Sequence, residues 1–258
     1  MYDINQKTKY NELLEDIYKK IRSFPKYDSL VFKGGFALLK LLNSEGRMTK
    51  DIDISVINSN MVLELIDFLE NTLTGGDNNG ISYDIVKMRK DINSGTIKLS
   101  YYDSITGIDY RPGIDIRYEN GSVTVIAKDD MILYHPITML VDKLVAISDY
   151  NMIRRRLKDI VDIFLIYDYL DGVDANEVVK ELSKKRPKDE IKNSIDSEDK
   201  YREIEKVLLK FTIKNNIDID VNLAIQRYIK LAEEVSFLKK SSIDWMWGYE
   251  FYKRLYIY

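Results

Sequence analysis

Apolar residues recur at helical spacing over residues 7–23, where Tyr10, Leu13, Leu14, Ile17, Tyr18 and Ile21 share a face and Phe24-Pro25 stops the pattern. Ser29-Leu30-Val31-Phe32 is a short apolar run that enters Gly34-Gly35, after which Phe36 to Leu42 reads as a buried helix. A strand, a glycine turn and a helix are thus expected in that order. Asp51-Ile52-Asp53-Ile54-Ser55-Val56 alternates strictly. A strand with period two therefore sets Ile52, Ile54 and Val56 on one face and Asp51, Asp53 and Ser55 on the other. Residues 60–73 return to helical spacing, and Gly75 to Gly80 is a loop rich in turn formers. Strand-like segments follow at 82–88, 96–102, 113–118 and 123–127, the last two joined by a hairpin turn expected at Glu119-Asn120-Gly121.

Beyond Lys128 the strand pattern fades and helices are expected near 136–149, 154–171, 174–185, 199–215 and 219–239. The charged stretch from Lys184 to Lys200, interrupted by Pro187, reads as a solvated loop. The expectation is an α+β chain with a mixed first part, 1–128, and an all-helical second part, 129–258.

Composition narrows the chemistry. Lys+Arg 39 against Asp+Glu 42 leaves a formal charge of −3, so a histone-like surface that binds phosphate everywhere is excluded. With hydrophobic residues at 45%, a folded core is expected. There is no Cys and one His, His135, which excludes disulfides, thiolate metal sites, cysteine nucleophiles and a two-histidine zinc helix. The N-terminus lacks the order of a signal peptide, and no apolar run approaches the roughly 20 residues of a membrane span, so a cytoplasmic location is expected. Carboxylates, lysines and hydroxyls remain, and carboxylates suit hard cations such as magnesium.

Gly34-Gly35, where a strand hands over to a helix, lets the backbone approach a ligand while the helix N-terminus offers N–H groups to an anion. Asp51 and Asp53 would project side by side, a like-charge arrangement that calls for a compensating cation. Asp115, between Ile114 and Ile116, offers a third strand carboxylate, with Asp103 and Asp109 competing for that place. Three such carboxylates could hold two ions roughly 3.5–4 Å apart, the geometry of in-line phosphoryl transfer.

Lys33-Gly34-Gly35-Phe36-Ala37-Leu38 followed by Arg47-Met48-Thr49-Lys50-Asp51-Ile52-Asp53-Ile54 resembles the nucleotidyltransferase superfamily of DNA polymerase beta-like fold, and more narrowly the AbiEii/AbiGii toxin family. A third motif matches Asp142-Lys143-Leu144 with Ala146, and a fourth matches Arg156-Leu157-Lys158-Asp159-Ile160-Val161-Asp162-Ile163. The resemblance covers roughly residues 31–166. It implies an N-terminal nucleotidyltransferase domain with a small mixed sheet flanked by helices, followed by a helical domain that contributes a lysine and an aspartate to the active-site cleft.

What the resemblance implies chemically is transfer of a nucleoside monophosphate from an NTP to an acceptor, with release of pyrophosphate. Lys33, Gly34, Gly35, Thr49 and Lys143 would bind the nucleotide, while Asp51, Asp53 and Asp115 would hold Mg²⁺, or Mn²⁺ in its place. Asp159 would act on the acceptor or hold the site together. The protein would be the toxin of a type IV toxin–antitoxin or abortive-infection pair, with an RNA acceptor such as tRNA and a cognate antitoxin as partner. A small-molecule nucleotidyltransferase of the antibiotic-modifying kind, or a nucleotide-binding protein without turnover, are the alternatives.

Read without the family, Lys143 is a helix-surface lysine that could pair with Asp142, and Arg155 with Asp159 and Lys158 with Asp162 are surface ion pairs. His135 reads as a cap or packing residue, and the aromatics from Trp245 to Tyr256 as core. Arg154-Arg155-Arg156 and the lysines from 180 to 192 are local basic patches.

Overall fold

A computed structural model describes residues 4–43, 48–74, 81–120, 123–149, 155–186 and 188–255. Arg47, Arg154, Pro187, the Gly75 to Gly80 loop and Gly121 of the expected hairpin turn lie outside the described residues. The chain packs into two units, Met1–His135 with Lys214–Ile217, and Pro136–Ile213 with Asp218–Tyr258.

The first unit is a mixed sheet with helices. Its strands are β1 (Leu30–Lys33), β2 (Asp51–Val56), β3 (Asp84–Lys90), β4 (Ser94–Asp103), β5 (Ile108–Tyr110), β6 (Gly113–Tyr118), β7 (Val125–Lys128) and β8 (Met131–Tyr134). They are ordered β3-β4-β6-β2-β1-β8-β7, with β5 paired to β4. Helices α1 (Ile4–Arg22), α2 (Gly34–Leu42) and α3 (Asn60–Thr74) complete the unit. The apolar positions of α1, Leu13, Leu14, Ile17 and Ile21, are fully buried, as are Ile52 and Ile54 of β2 and Leu65, Ile66 and Leu69 of α3. Each such side chain contributes about 1.5–3 kcal/mol of transfer free energy. Gly95 of β4 lies directly under Ile66 of α3, where a Cβ would overlap the isoleucine side chain.

Two features of the sheet differ from the pattern reading. The turn chemistry at Glu119-Asn120-Gly121 does not pair the strands around it: β6 runs parallel to β2, and β7 is antiparallel to β8 at the far edge. The hairpin instead closes through Asp129-Asp130, with Asp129 at φ 52. β8 itself, Met-Ile-Leu-Tyr, is a strand the pattern does not reveal, so the sheet continues past Lys128. Flanked by β1 and β7, it buries Met131, Leu133 and Tyr134 and carries no alternation to betray it.

The second unit is helical: α4 (Pro136–Asp149), α5 (Leu157–Tyr169), α6 (Ala175–Lys185), α7 (Glu198–Asn215) and α8 (Val221–Leu255). Pro136 opens α4 at the position where a missing N–H costs nothing. Asp174 caps α6 by accepting from the Asn176 N–H at 2.8 Å. Helix α8 continues through the segment from Trp245, whose aromatic side chains lie outside the described residues. Among the described residues no helix is long and apolar enough to cross a membrane.

Candidate active site

The alternation of β2 places Asp51 and Asp53 on the face opposite Ile52 and Ile54, as strand geometry requires. Parallel pairing with β6 then sets Asp53 opposite Asp115 and Asp51 opposite Gly113. Asp103 and Asp109 are elsewhere: Asp103 accepts from Thr106 Oγ1 at 2.8 Å, and Asp109 accepts from Ser100 and Arg111. Both carboxyls are held below their ordinary range, first by those side-chain hydrogen bonds.

β1 pairs antiparallel with β2 and brings Lys33 opposite Asp53. Immediately after it, Gly34 has φ +68 and a Cβ there would overlap Asp53 Oδ2. Glycine is required twice over, by the left-handed backbone and by the approach of a carboxylate. The carboxylate thereby lies at the N-terminus of α2, where the helix dipole favours negative charge. Lys33 is not directed to solvent: its ammonium pairs with Glu119 at 2.5 Å and lies over the Tyr134 ring. Thr49 is buried and donates to the Asp51 carbonyl oxygen at 3.4 Å.

Lys98, on β4 and opposite Gly113, is a site residue that periodicity does not disclose. Its Nζ donates to Asp51 Oδ1 at 2.8 Å and lies 3.5 Å from Asp115 Oδ2. Thr96 Oγ1 donates to the other oxygen, Asp115 Oδ1, at 2.8 Å. A Cβ on Gly113 would overlap both Asp51 Oδ1 and the Lys98 side chain, so the second glycine leaves room for this ion pair. Burial pulls the Lys98 pKa down, but the hydrogen bond and charge of Asp51, with the charge of Asp115, outweigh it and hold the ammonium above its ordinary value.

The residues that resemble the third and fourth motifs meet in the second unit. Lys143 Nζ of α4 lies 3.0 Å from Asp159 Oδ1 and 2.8 Å from Asp162 Oδ2, both on α5. Asp159 and Asp162 are 2% and 0% exposed, so they are core carboxylates and not the surface pairs that local spacing allows. Arg156 adds a longer contact to Asp159 at 3.5 Å. Asp142 pairs with Lys185 at 2.7 Å, leaving Lys143 to the buried pair.

A family model, nucleotidyl transferase AbiEii toxin of type IV toxin–antitoxin systems, matches residues 18–245, a span that holds all of these residues. The chain belongs to the AbiEii nucleotidyltransferase toxin family. Its fold is that of JHP933 from Helicobacter pylori, at TM-score 0.54 and 14% identity, over 95% of this chain and 98% of that one. A candidate nucleotidyltransferase of H. pylori superposes at TM-score 0.57 and 17% identity, over 92% of this chain and 97% of the other. At these identities the likeness concerns the fold alone. No curated protein matches the sequence. As an AbiEii family member the protein is a nucleotidyltransferase enzyme, and its α+β architecture agrees with that assignment.

Among the described residues no three carboxylate or histidine side chains form a ready-made metal cage. The donors nevertheless fit a hard cation. Asp51, Asp53 and Asp115 offer only oxygen, and an ammonium already bridges two of them. Magnesium is usually held by one or two carboxylates together with substrate phosphates, a mode for which this face is suited.

Proposed function

We propose that the enzyme transfers a nucleoside monophosphate from an NTP to a hydroxyl of an RNA acceptor in a magnesium-dependent reaction, and that a cognate antitoxin opposes it. The observation that carries this reading is the register of Asp51, Asp53 and Asp115 on one sheet face beside the left-handed Gly34 turn. In the reaction the acceptor oxygen bonds to the α-phosphorus, the α–β phosphoanhydride bond breaks, and pyrophosphate leaves. The hydroxyl proton passes to Asp115, the carboxylate on the β6 side of β2.

Asp51 and Asp53 would hold Mg²⁺, which when bound neutralises charge on the phosphates. Gly34 and Gly35 offer the triphosphate a close backbone approach and the N–H groups of α2. Lys33 orders the turn through Glu119 and the Tyr134 ring, and Thr49 fixes the entry into β2 through the Asp51 carbonyl. Lys143 and Asp159 enter through the family resemblance, the lysine as a phosphate contact and the aspartate as the acid that holds it.

The test is incubation with total RNA, Mg²⁺ and each α-labelled NTP in turn, with pyrophosphate release followed in parallel. Label in RNA with wild type and none with Asp53→Asn or Asp51→Asn is expected. Undiminished transfer by both variants overturns the assignment, and label entering only small hydroxyl compounds replaces the RNA acceptor.

A further inference from the structure

The carboxylate face of the sheet continues beyond Asp115 to the β3 edge, and its register can be followed strand by strand. One row runs Lys33, Asp53, Asp115, Thr96, Arg89; the next runs Asp51, Gly113, Lys98, Lys87. In a third row Arg117 lies between Ser55 and Ser94. Cross-strand partners project to the same side of a sheet, so Lys87, Arg89 and Arg117 share the face of the three aspartates. All three are exposed. Arg89 donates to Ser94 Oγ at 3.3 Å, and among the described residues none of the three is paired with a carboxylate. Elsewhere in this unit exposed cations such as Lys26 and Lys90 are neutralised by acids on α3.

The position of this strip relative to the glycine turn decides what it is for. Gly34 follows β1, on one side of β2, whereas β6, β4 and β3 lie on the other. In an in-line displacement the leaving and attacking oxygens sit on opposite sides of the phosphorus. With pyrophosphate leaving toward the Gly34 turn, the acceptor approaches over β6 and β4. β3 lies three strands from β2, or roughly 14 Å at about 4.8 Å per strand, beyond a triphosphate anchored on the opposite side. The strip has a limit: Asp84 faces Ser100 in the row past Lys87, and Asp109 holds the same serine.

We propose that Lys87, Arg89 and Arg117 form a backbone-binding strip that holds the phosphodiesters of the RNA acceptor and delivers its hydroxyl across Asp115. The proposal rests on the nucleotidyltransferase reading and assigns its acceptor a place. A polyanion is the occupant because, although the chain as a whole carries a charge of −3, these three exposed cations, without a carboxylate partner among the described residues, lie together on one sheet face.

The test measures binding of a fluorescein-labelled 20-nucleotide single-stranded RNA by anisotropy across a KCl series. The full chain is compared with the triple variant Lys87→Gln, Arg89→Gln, Arg117→Gln and with a charge-matched control, Lys19→Gln, Lys26→Gln, Lys90→Gln. NTP binding by calorimetry and pyrophosphate release are followed for each. The strip variant is expected to bind RNA about tenfold or more weakly at 0.1 M salt and to lose about 2 from the log–log salt slope, with NTP binding unchanged. The control keeps wild-type RNA binding. Equal weakening in the control, an unchanged slope in the strip variant, no RNA binding by wild type, or tighter binding of DNA of the same sequence overturns the proposal. Each of these outcomes leaves the nucleotidyltransferase reading standing where pyrophosphate release persists and Asp53→Asn abolishes it; loss of NTP binding and turnover in wild type sinks that reading instead.

Discussion

Gly34 and Asp53 are in such close contact that a methyl group on the one would occupy the place of Oδ2 of the other. The first family motif and the second are therefore a single steric unit, although 18 residues of chain separate Gly34 from Asp53, by 53 − 34 − 1. Gly34→Ala is expected to cost about 1–2 kcal/mol from the left-handed backbone alone. Displacement of the carboxylate adds to this and should abolish nucleotide transfer. Urea denaturation and pyrophosphate release report the two effects separately, and full activity in a folded Gly34→Ala protein contradicts the coupling.

Lys98 places an ammonium between Asp51 and Asp115. Because the three side chains are 32–43% exposed, the pair is screened and its removal is expected to change stability by only about 0–1 kcal/mol. The larger effect of Lys98→Met is expected on cation demand, since two carboxylates are left facing each other. Added Mn²⁺ should raise the melting temperature of the variant more than that of wild type. An equal rise in both would mean that Lys98 and the cation do not compete.

Lys143 bridges two core carboxylates, one of which also has a longer contact with Arg156, so its loss leaves buried charge less compensated. Lys143→Met is expected to destabilise the protein by about 3–5 kcal/mol. Combining it with Asp159→Asn and Asp162→Asn should restore a large part of that. Denaturant midpoints of the single and triple variants decide the matter; a single variant as stable as wild type would show that the three charges are not coupled.

Tyr134 and Ser55 are both buried, and their hydroxyls are 2.8 Å apart. The contact ties β8 to β2, and Ser55 Oγ also donates to Glu119, the partner of Lys33, at 3.4 Å. Tyr134→Phe is expected to lower stability by about 1 kcal/mol while transfer activity at 25 °C stays near wild type. A loss of activity without a loss of stability would instead give Tyr134 a part in the chemistry.

Helices α4 to α7 are legible because each carries an apolar stripe, a signal contained in the segment itself, whereas α8 runs on to Leu255, well past the expected end at 239. The Asp-x-Asp strand is legible for the same reason. What escapes is whatever depends on pairing between distant segments. Glu119-Asn120 has the chemistry of a tight turn, yet the partner of a strand is chosen by the rest of the sheet. Lys98 alternates like any strand lysine, and only the opposition of Gly113 and the reach to Asp51 give it a role. The burial of Asp159 and Asp162 is hidden similarly, because residues three and four apart on their own helix offer plausible surface partners while the true one is on α4.

The parallel pairing of β2 with β6 also has a consequence for synthesis. Asp53 meets Asp115 only after the chain has passed through α3, β3, β4 and β5. No N-terminal fragment ending before Gly113 can assemble the three carboxylates, however well its own helices form. A chain cut short anywhere in that interval therefore holds Asp51 and Asp53 without the strand that sets Asp115 beside them.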